Sequence, residues 1–117
     1  MKAIVARDFA PLDQLAYTDW PEPEAKGSNV VIDAEAIGVN YPDGLLVQGL
    51  YQMRPPTPFV PGMEVVGRIS ATGPGVKGYK VGDRVAAMPS IGCYAERVCV
   101  HETALMPLPP GMDAGDA

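Results

Sequence analysis

Two short polar segments carry side chains that could take part in chemistry. Asn40 follows a predicted strand, and its amide could either bond a ligand or close a turn with its own backbone. Glu64 lies in a corner that contains proline and glycine, and burial there would make it a candidate proton donor. A structural carboxylate is the alternative for Glu64. The neighbouring thioether of Met63 is best interpreted as apolar pocket filling.

Cys99 and His101 could form part of a metal site, because residues two apart on a strand share one face. A zinc site needs at least a third protein ligand nearby. On one extended strand, Cys93 would lie roughly 20 Å from Cys99, since each residue adds about 3.3 Å. That distance excludes a disulfide as well as a shared metal. We therefore predict no zinc and two buried free thiols.

Composition limits the class of protein. The 117 residues, with a net charge of −5, suit one globular domain. The acidic balance argues against nucleic acid, whose phosphates require a basic surface. No stretch is long and apolar enough for a membrane span, and no signal peptide is evident. We therefore expect a cytoplasmic protein with neither a nucleic-acid nor a membrane partner.

Short strands dominate the predicted secondary structure. Thirteen glycines and thirteen prolines, mixed with β-branched runs, predict strands joined by tight turns. Pro42 and Asp43 suit the first turn of a short helix, which Gly49 could end. Alternating or β-branched patterns predict strands at 2–9, 30–36, 65–72, 84–88, 94–100 and 103–108.

The glycines and prolines between these strands predict loops. Gly73-Pro74-Gly75 has the spacing of two glycines of a pyrophosphate-binding loop, but neither the third glycine nor the helix follows. We interpret it as a hairpin loop. Four prolines within 54–61 predict an extended surface corner outside the sheet. Together these features predict a mainly β fold, a partly open antiparallel β-barrel with one or two short helices.

Three motifs resemble a known family. VNYPD at 39–43, QGLY at 48–51 and PGME at 61–64 are similar to the zinc-independent quinone oxidoreductases and their vesicle amine transport relatives. These proteins belong to the medium-chain dehydrogenase/reductase superfamily. In its zinc-dependent members a cysteine and a histidine hold the metal, at the positions of Asn40 and Met63 here. An amide and a thioether cannot replace a thiolate and an imidazole at zinc.

The resemblance implies a function. Such enzymes use NADPH to reduce a quinone or a conjugated enone by hydride transfer, in a cleft between two domains. Asn40 would lie at the nicotinamide end of that cleft. Many quinone oxidoreductases carry tyrosine where this chain has Leu45, a departure that argues against a polar role at that position. The residues expected to line or support the cleft are Asn40, Tyr41, Asp43, Leu45, Tyr51 and Met63.

The resemblance also implies a domain organisation. Residues 1–108 correspond to the GroES-like domain, and 109–117 to a linker toward a nucleotide-binding domain absent from this chain. NADP(H) would be bound mainly by that domain, so the isolated chain should be inactive, and the parent protein should be a homodimer. The alternative is a free-standing GroES-like module that binds a protein partner or forms rings. The stiff proline corner argues against it, because a partner loop should be mobile.

Overall fold

Two antiparallel sheets and one short helix make up the computed structural model, which describes residues 1–50 and 54–108. Two three-residue 3₁₀ turns, at Leu12–Gln14 and Glu102–Ala104, accompany them. The strands and the helix are β1 (Lys2–Val5), β2 (Ala16–Asp19), β3 (Asn29–Gly38), α1 (Tyr41–Val47), β4 (Glu64–Thr72), β5 (Arg84–Ala87), β6 (Arg97–His101) and β7 (Leu105–Pro107).

The larger sheet contains five strands in the order β6-β3-β4-β5-β7. Its centre is the pair β3 and β4, in which Ile32 lies opposite Ile69. Both side chains are fully buried, together with Val30, Val65 and Val85. Apolar and polar residues alternate along much of β3 and β4. This alternation is why the two strands form where the sequence predicted them. The register of the pair shifts twice along its length.

The smaller sheet joins β1 to β2, with Ile4 opposite Tyr17. It meets the rest of the fold through single backbone contacts rather than a continuous ladder. The N–H of Ile4 donates to the carbonyl of Tyr94 at 2.8 Å, and Ala6 forms an isolated bridge with Phe59. The sheets therefore do not close into a full barrel, and the predicted mainly β, partly open architecture is confirmed.

Several local predictions need correction. The strand predicted at 2–9 ends at Val5, the strand predicted at 94–100 begins only at Arg97, and β2 was not predicted. The proline corner is not wholly on the surface, because Phe59 and Pro61 are buried. The predicted linker at 109–117 lies outside the described residues.

The predicted hairpin loop is present between β4 and β5. The N–H of Gly75 donates to the carbonyl of Gly27 at 2.8 Å, which ties the loop to the turn before β3. A side chain at Gly73 would overlap the backbone of the same turn, so only glycine allows this close approach. In the described part of the chain, no helix is long and apolar enough to cross a membrane.

Candidate functional site

The candidate site begins where β3 ends and α1 starts. Asn40 has extended backbone angles, φ −122° and ψ 152°, and occupies the N-cap of α1. Its N–H donates to Oδ2 of Asp43 at 3.0 Å, and its carbonyl accepts from the N–H of Asp43 at 3.0 Å. Carboxylates are favoured in this first turn by the free N–H groups and the dipole of the helix. The predicted helix is confirmed, and Gly49, with φ 74°, follows its end.

Asp43 is a buried carboxylate with only 3% of its surface exposed. Its Oδ2 accepts a second hydrogen bond, from the hydroxyl of Tyr94 at 2.7 Å, which joins the helix to the chain before β6. Among the described residues, Oδ1 of Asp43 and Nδ2 of Asn40 are buried and have no hydrogen-bond partner. Such atoms are costly, and in native proteins they often mark a site that another group completes.

Tyr94 is held in place by Gly62, from the PGME motif. Gly62 has φ 103°, which side chains rarely tolerate, and a Cβ at this position would lie 2.9 Å from Cε1 of Tyr94. The N–H of Tyr94 donates to the carbonyl of Pro61 at 2.9 Å. The glycine of this motif is therefore required because an aromatic ring packs directly against its backbone.

Burial changes the acidity of two groups beside Asp43. Desolvation raises the pKa of the Tyr94 hydroxyl, and its hydrogen bond to Asp43 adds to the increase. Desolvation also raises the pKa of the Cys93 thiol to about 12, with smaller contributions from the charges of Asp43 and Glu64. Both groups are therefore protonated at neutral pH, and Tyr94 acts here as a hydrogen-bond donor.

A cavity of about 560 Å³ opens beside this corner. Its volume is within the range typical of small-molecule sites. Most of its wall is apolar, and the polar groups are concentrated at the start of α1. It is lined by Leu12, Leu15, Val39, Asn40, Asp43, Gly44, Leu45, Val47, Gln48 and Tyr94.

Only some of the predicted cleft residues line this cavity. Asn40, Asp43 and Leu45 lie together in the cavity wall. Met63 is half-buried and does not line this cavity. Tyr51 lies outside the described residues, as does the side chain of Tyr41, although Tyr41 itself begins α1.

Glu64 lies apart from this cavity. It is half-buried at the start of β4, against Gly38, where any larger residue would overlap its carboxylate. It lines a separate cavity of about 400 Å³ that also contains Met88 and Met106. The structure therefore does not bring Glu64 together with Asn40.

The alternative metal site does not form. Cys93 is buried whereas Cys99 is exposed, so the prediction of two buried thiols is wrong for Cys99. Cys99 is exposed because it lies on the outer face of the edge strand β6, opposite to the buried valines on either side of it. Nδ1 of His101 accepts from the N–H of Thr103 at 3.2 Å. Within residues 1–50 and 54–108, no three histidine, cysteine, aspartate or glutamate residues come close enough to hold a metal ion.

Tyr94 and Val39 were missed as site residues. Tyr94 lies 51 positions from Asp43 in the sequence, and no local pattern links them. A buried aspartate needs hydrogen-bond donors, and a tyrosine hydroxyl is one candidate. The chain has five tyrosines, and the sequence does not show which of them contacts Asp43. Val39 is 83% exposed and was interpreted only as part of the VNYPD motif.

Comparison with known proteins identifies a matching family model and related full-length proteins. The family model for the alcohol dehydrogenase GroES-like domain matches residues 26–110. The mouse synaptic vesicle membrane protein VAT-1 homolog-like is 35% identical over 117 residues, which are all of this chain and 28% of that protein.

Solved structures agree with that family. A probable oxidoreductase from Mycobacterium abscessus superposes with a TM-score of 0.91 at 43% identity, over 98% of this chain and 36% of that one. The quinone oxidoreductase of Thermus thermophilus, whose structures include a complex with NADPH, gives 0.80 at 42% identity, over 97% of this chain and 34% of that one.

A partly open β fold with a short helix at an apolar cavity defines a GroES-like domain of the kind found in oxidoreductases. The chain belongs to the alcohol dehydrogenase GroES-like domain family, and within the medium-chain dehydrogenase/reductase superfamily it is quinone oxidoreductase-like. It spans about a third of the length of the relatives that it matches.

Proposed function

We propose that this chain is the substrate-side domain of a zinc-free, NADPH-dependent oxidoreductase that reduces a quinone or an enone by hydride transfer. The observation that carries the proposal is the Asn40 amide, whose buried Nδ2 has no partner in the described residues and which belongs to the wall of an apolar cavity. A carbonyl oxygen of a substrate or of a nicotinamide is the acceptor that such a donor lacks.

The chain's own residues have distinct tasks in this proposal. NADPH, when bound, supplies the hydride. Asn40 donates a hydrogen bond to the carbonyl oxygen that gains negative charge during reduction, which favours the transition state. Asp43 and Tyr94 fix the start of α1 and thereby the position of Asn40. The apolar wall excludes water from the reacting atoms.

The residues at the zinc-ligand positions of the family do not fit a metal. The Asn40 amide and the Met63 thioether are not among the ligands of a catalytic zinc, which are thiolate, imidazole or carboxylate groups. The side chain of Asp43, the nearest carboxylate in the cavity wall, is already bonded to Tyr94 and to the backbone of Asn40. No step of the proposed reaction passes through a metal.

The proposal extends to the parent protein. Residues 1–108 form the substrate side, 109–117 form the linker, and NADP(H) is held mainly by a nucleotide-binding domain outside this chain. The short coverage of the relatives supports this division. The parent is then a cytoplasmic homodimer that acts on a small quinone or enone.

An activity assay on the longer natural protein tests the proposal. NADPH oxidation should depend on added quinone, should survive a chelator, and should occur without stoichiometric zinc in elemental analysis. Asn40→Ala should lower kcat/KM at least about tenfold, as expected for the loss of one transition-state hydrogen bond. A matched control is Asn29→Ala, because Asn29 begins β3 far from the cavity.

Calorimetry on the 117-residue chain tests the division between domains. The chain alone should show no saturable NADPH binding, because it lacks a pyrophosphate loop. Saturable binding would contradict the assignment of the cofactor to another domain. One tightly held zinc ion per chain would contradict the zinc-free mechanism.

A further inference from the structure

A second cavity, of about 390 Å³, adjoins the candidate site. It lies between the small β1–β2 sheet and the end of β3, with Ile4, Tyr17 and Ile37 in its wall. Val39 and Tyr94 line both cavities, so they form the boundary between them. The two spaces therefore lie side by side, and we call the one lined by Ile4, Tyr17 and Ile37 the second compartment.

Apart from the exposed phenol hydroxyl of Tyr17, the second compartment is poor in free polar groups. Its two charged lining residues are Lys2 and Glu96. Nζ of Lys2 pairs with Asp19 at 2.9 Å, and the Glu96 carboxylate accepts from the backbone N–H of Lys2. In contrast, the apolar wall is open, since Tyr17 is 73% exposed and Val39 is 83% exposed. A ligand in this compartment would gain mainly from burial of hydrocarbon.

We propose that this second compartment is a subsite for a hydrocarbon substituent of the substrate, whose ring carbonyl lies at Asn40. The inference rests on the proposed function and names the substrate class more closely: a quinone or enone with an alkyl or prenyl side chain. The shared residues Val39 and Tyr94 carry it, because they line both cavities and a substituent that reaches from the first to the second must cross them. Both volumes are within the range of small-molecule sites.

Methyl-detected NMR of the 117-residue chain separates the two compartments. The probes are tetramethyl-1,4-benzoquinone and its analogues in which one methyl is replaced by butyl, heptyl or decyl. Full substitution leaves no ring C–H for the exposed thiol of Cys99 to substitute. The ring should shift the methyl signals of Leu12 and Leu45, and the longer chains should additionally shift those of Ile4 and Ile37.

Affinity should rise with chain length until the second compartment is filled. Burial of each methylene should strengthen binding about two- to fourfold. Tyr17→Glu, on the exposed wall, should remove this dependence while leaving binding of the tetramethyl compound unchanged. The matched control is Val81→Glu, which also replaces an exposed apolar residue, 59% exposed, but lines neither compartment.

The outcomes distinguish the two proposals. Ring binding at Leu12 and Leu45 with an affinity independent of chain length would overturn the subsite and leave the proposed function standing. Absence of any ring-induced shift in the 117-residue chain would overturn the subsite, whereas the proposed function would be overturned only if the longer natural protein also failed to oxidise NADPH with the quinone. Shifts at Ile4 and Ile37 that depend on protein concentration without quinone would show that a second copy covers the compartment, which would also overturn the subsite.

Discussion

The buried corner at Asn40, Asp43 and Tyr94 contrasts with the charged cluster around Arg97. On the surface, Arg97 pairs with Asp33 at 3.1 Å and with Glu22 at 2.9 Å, and all three side chains are well exposed. In the corner, the Asn40 N–H and the Tyr94 hydroxyl donate to an Asp43 carboxylate that is shielded from water. Water competes with the surface pairs, whereas nothing replaces a lost partner in the corner.

The two regions also differ in how fully their polar atoms are paired. The guanidinium of Arg97 has carboxylate partners on two sides. The corner leaves Nδ2 of Asn40 and Oδ1 of Asp43 without partners in the described residues. In the proposed function a substrate carbonyl completes the Asn40 side of the corner, whereas the surface cluster is complete in itself. Mutations should therefore have very different effects in the two regions.

Disturbing the packing beneath the corner should have the largest effect. Gly62→Ala adds a Cβ that overlaps the Tyr94 ring and strains a backbone with φ 103°. The free energy of unfolding should fall by about 3 kcal/mol or more, measured by urea denaturation. Gly82→Ala is the matched control, because Gly82 has φ 95° but open space around it; this change should cost only about 1 kcal/mol. Equal losses would contradict the packing role of Gly62.

Removing the hydrogen bonds of the corner should have the next largest effect. Asp43→Ala should cost about 3 kcal/mol, because the Tyr94 hydroxyl and the Asn40 N–H lose their acceptor. Tyr94→Phe should cost about 1.5 kcal/mol. The double variant should cost less than the sum, since the two residues share one bond. Strict additivity in the double-mutant cycle would mean that this bond does not stabilise the fold.

Alkaline pH should weaken the corner. Folding raises the pKa of the Cys93 thiol from its usual 9.0 to about 12, and that of the Tyr94 hydroxyl also rises. At a pH between these two pKa values, the unfolded chain has released the thiol proton, whereas the folded chain still holds it. The free energy of unfolding should therefore fall as pH increases from about 9 to about 12. Cys93→Ala should make this decline shallower, and an unchanged slope would argue against a buried protonated thiol.

The surface cluster should give the smallest effect. Arg97→Ala should change the unfolding free energy least of all these variants, and any change should shrink further at high salt. Urea denaturation at low and high ionic strength checks this. A loss as large as that of Asp43→Ala would remove the distinction between the two regions.

Local patterns in the sequence predicted the parts of the fold that depend on local causes. The alternation in 30–36 and 65–72 predicted β3 and β4, and the glycines at 73 and 75 predicted the hairpin loop between β4 and β5. The strand β2 was missed because its four residues, Ala16–Asp19, include no fully buried side chain. Its formation depends on pairing with β1, which no local pattern records.

The candidate site was only partly predictable for the same reason. The family resemblance of the motif at 39–43 indicated Asn40 and Asp43 as cleft residues, and Pro42 with Asp43 predicted the first turn of the helix. The contact between Asp43 and Tyr94 depends on tertiary packing over Gly62. The second compartment likewise arises where β1, β2 and the end of β3 meet, and these segments are distant in the chain.

The side-chain amide of Asn40 can be followed directly by NMR while a quinone binds. The chain contains only two asparagines, so the ¹⁵N-detected side-chain signals of Asn40 and Asn29 can be compared in one spectrum. Titration with tetramethyl-1,4-benzoquinone should shift the Asn40 signal in a saturable way and leave that of Asn29 unchanged. Saturable quinone binding that leaves the Asn40 amide signal unmoved would contradict the claim that this amide receives the substrate carbonyl.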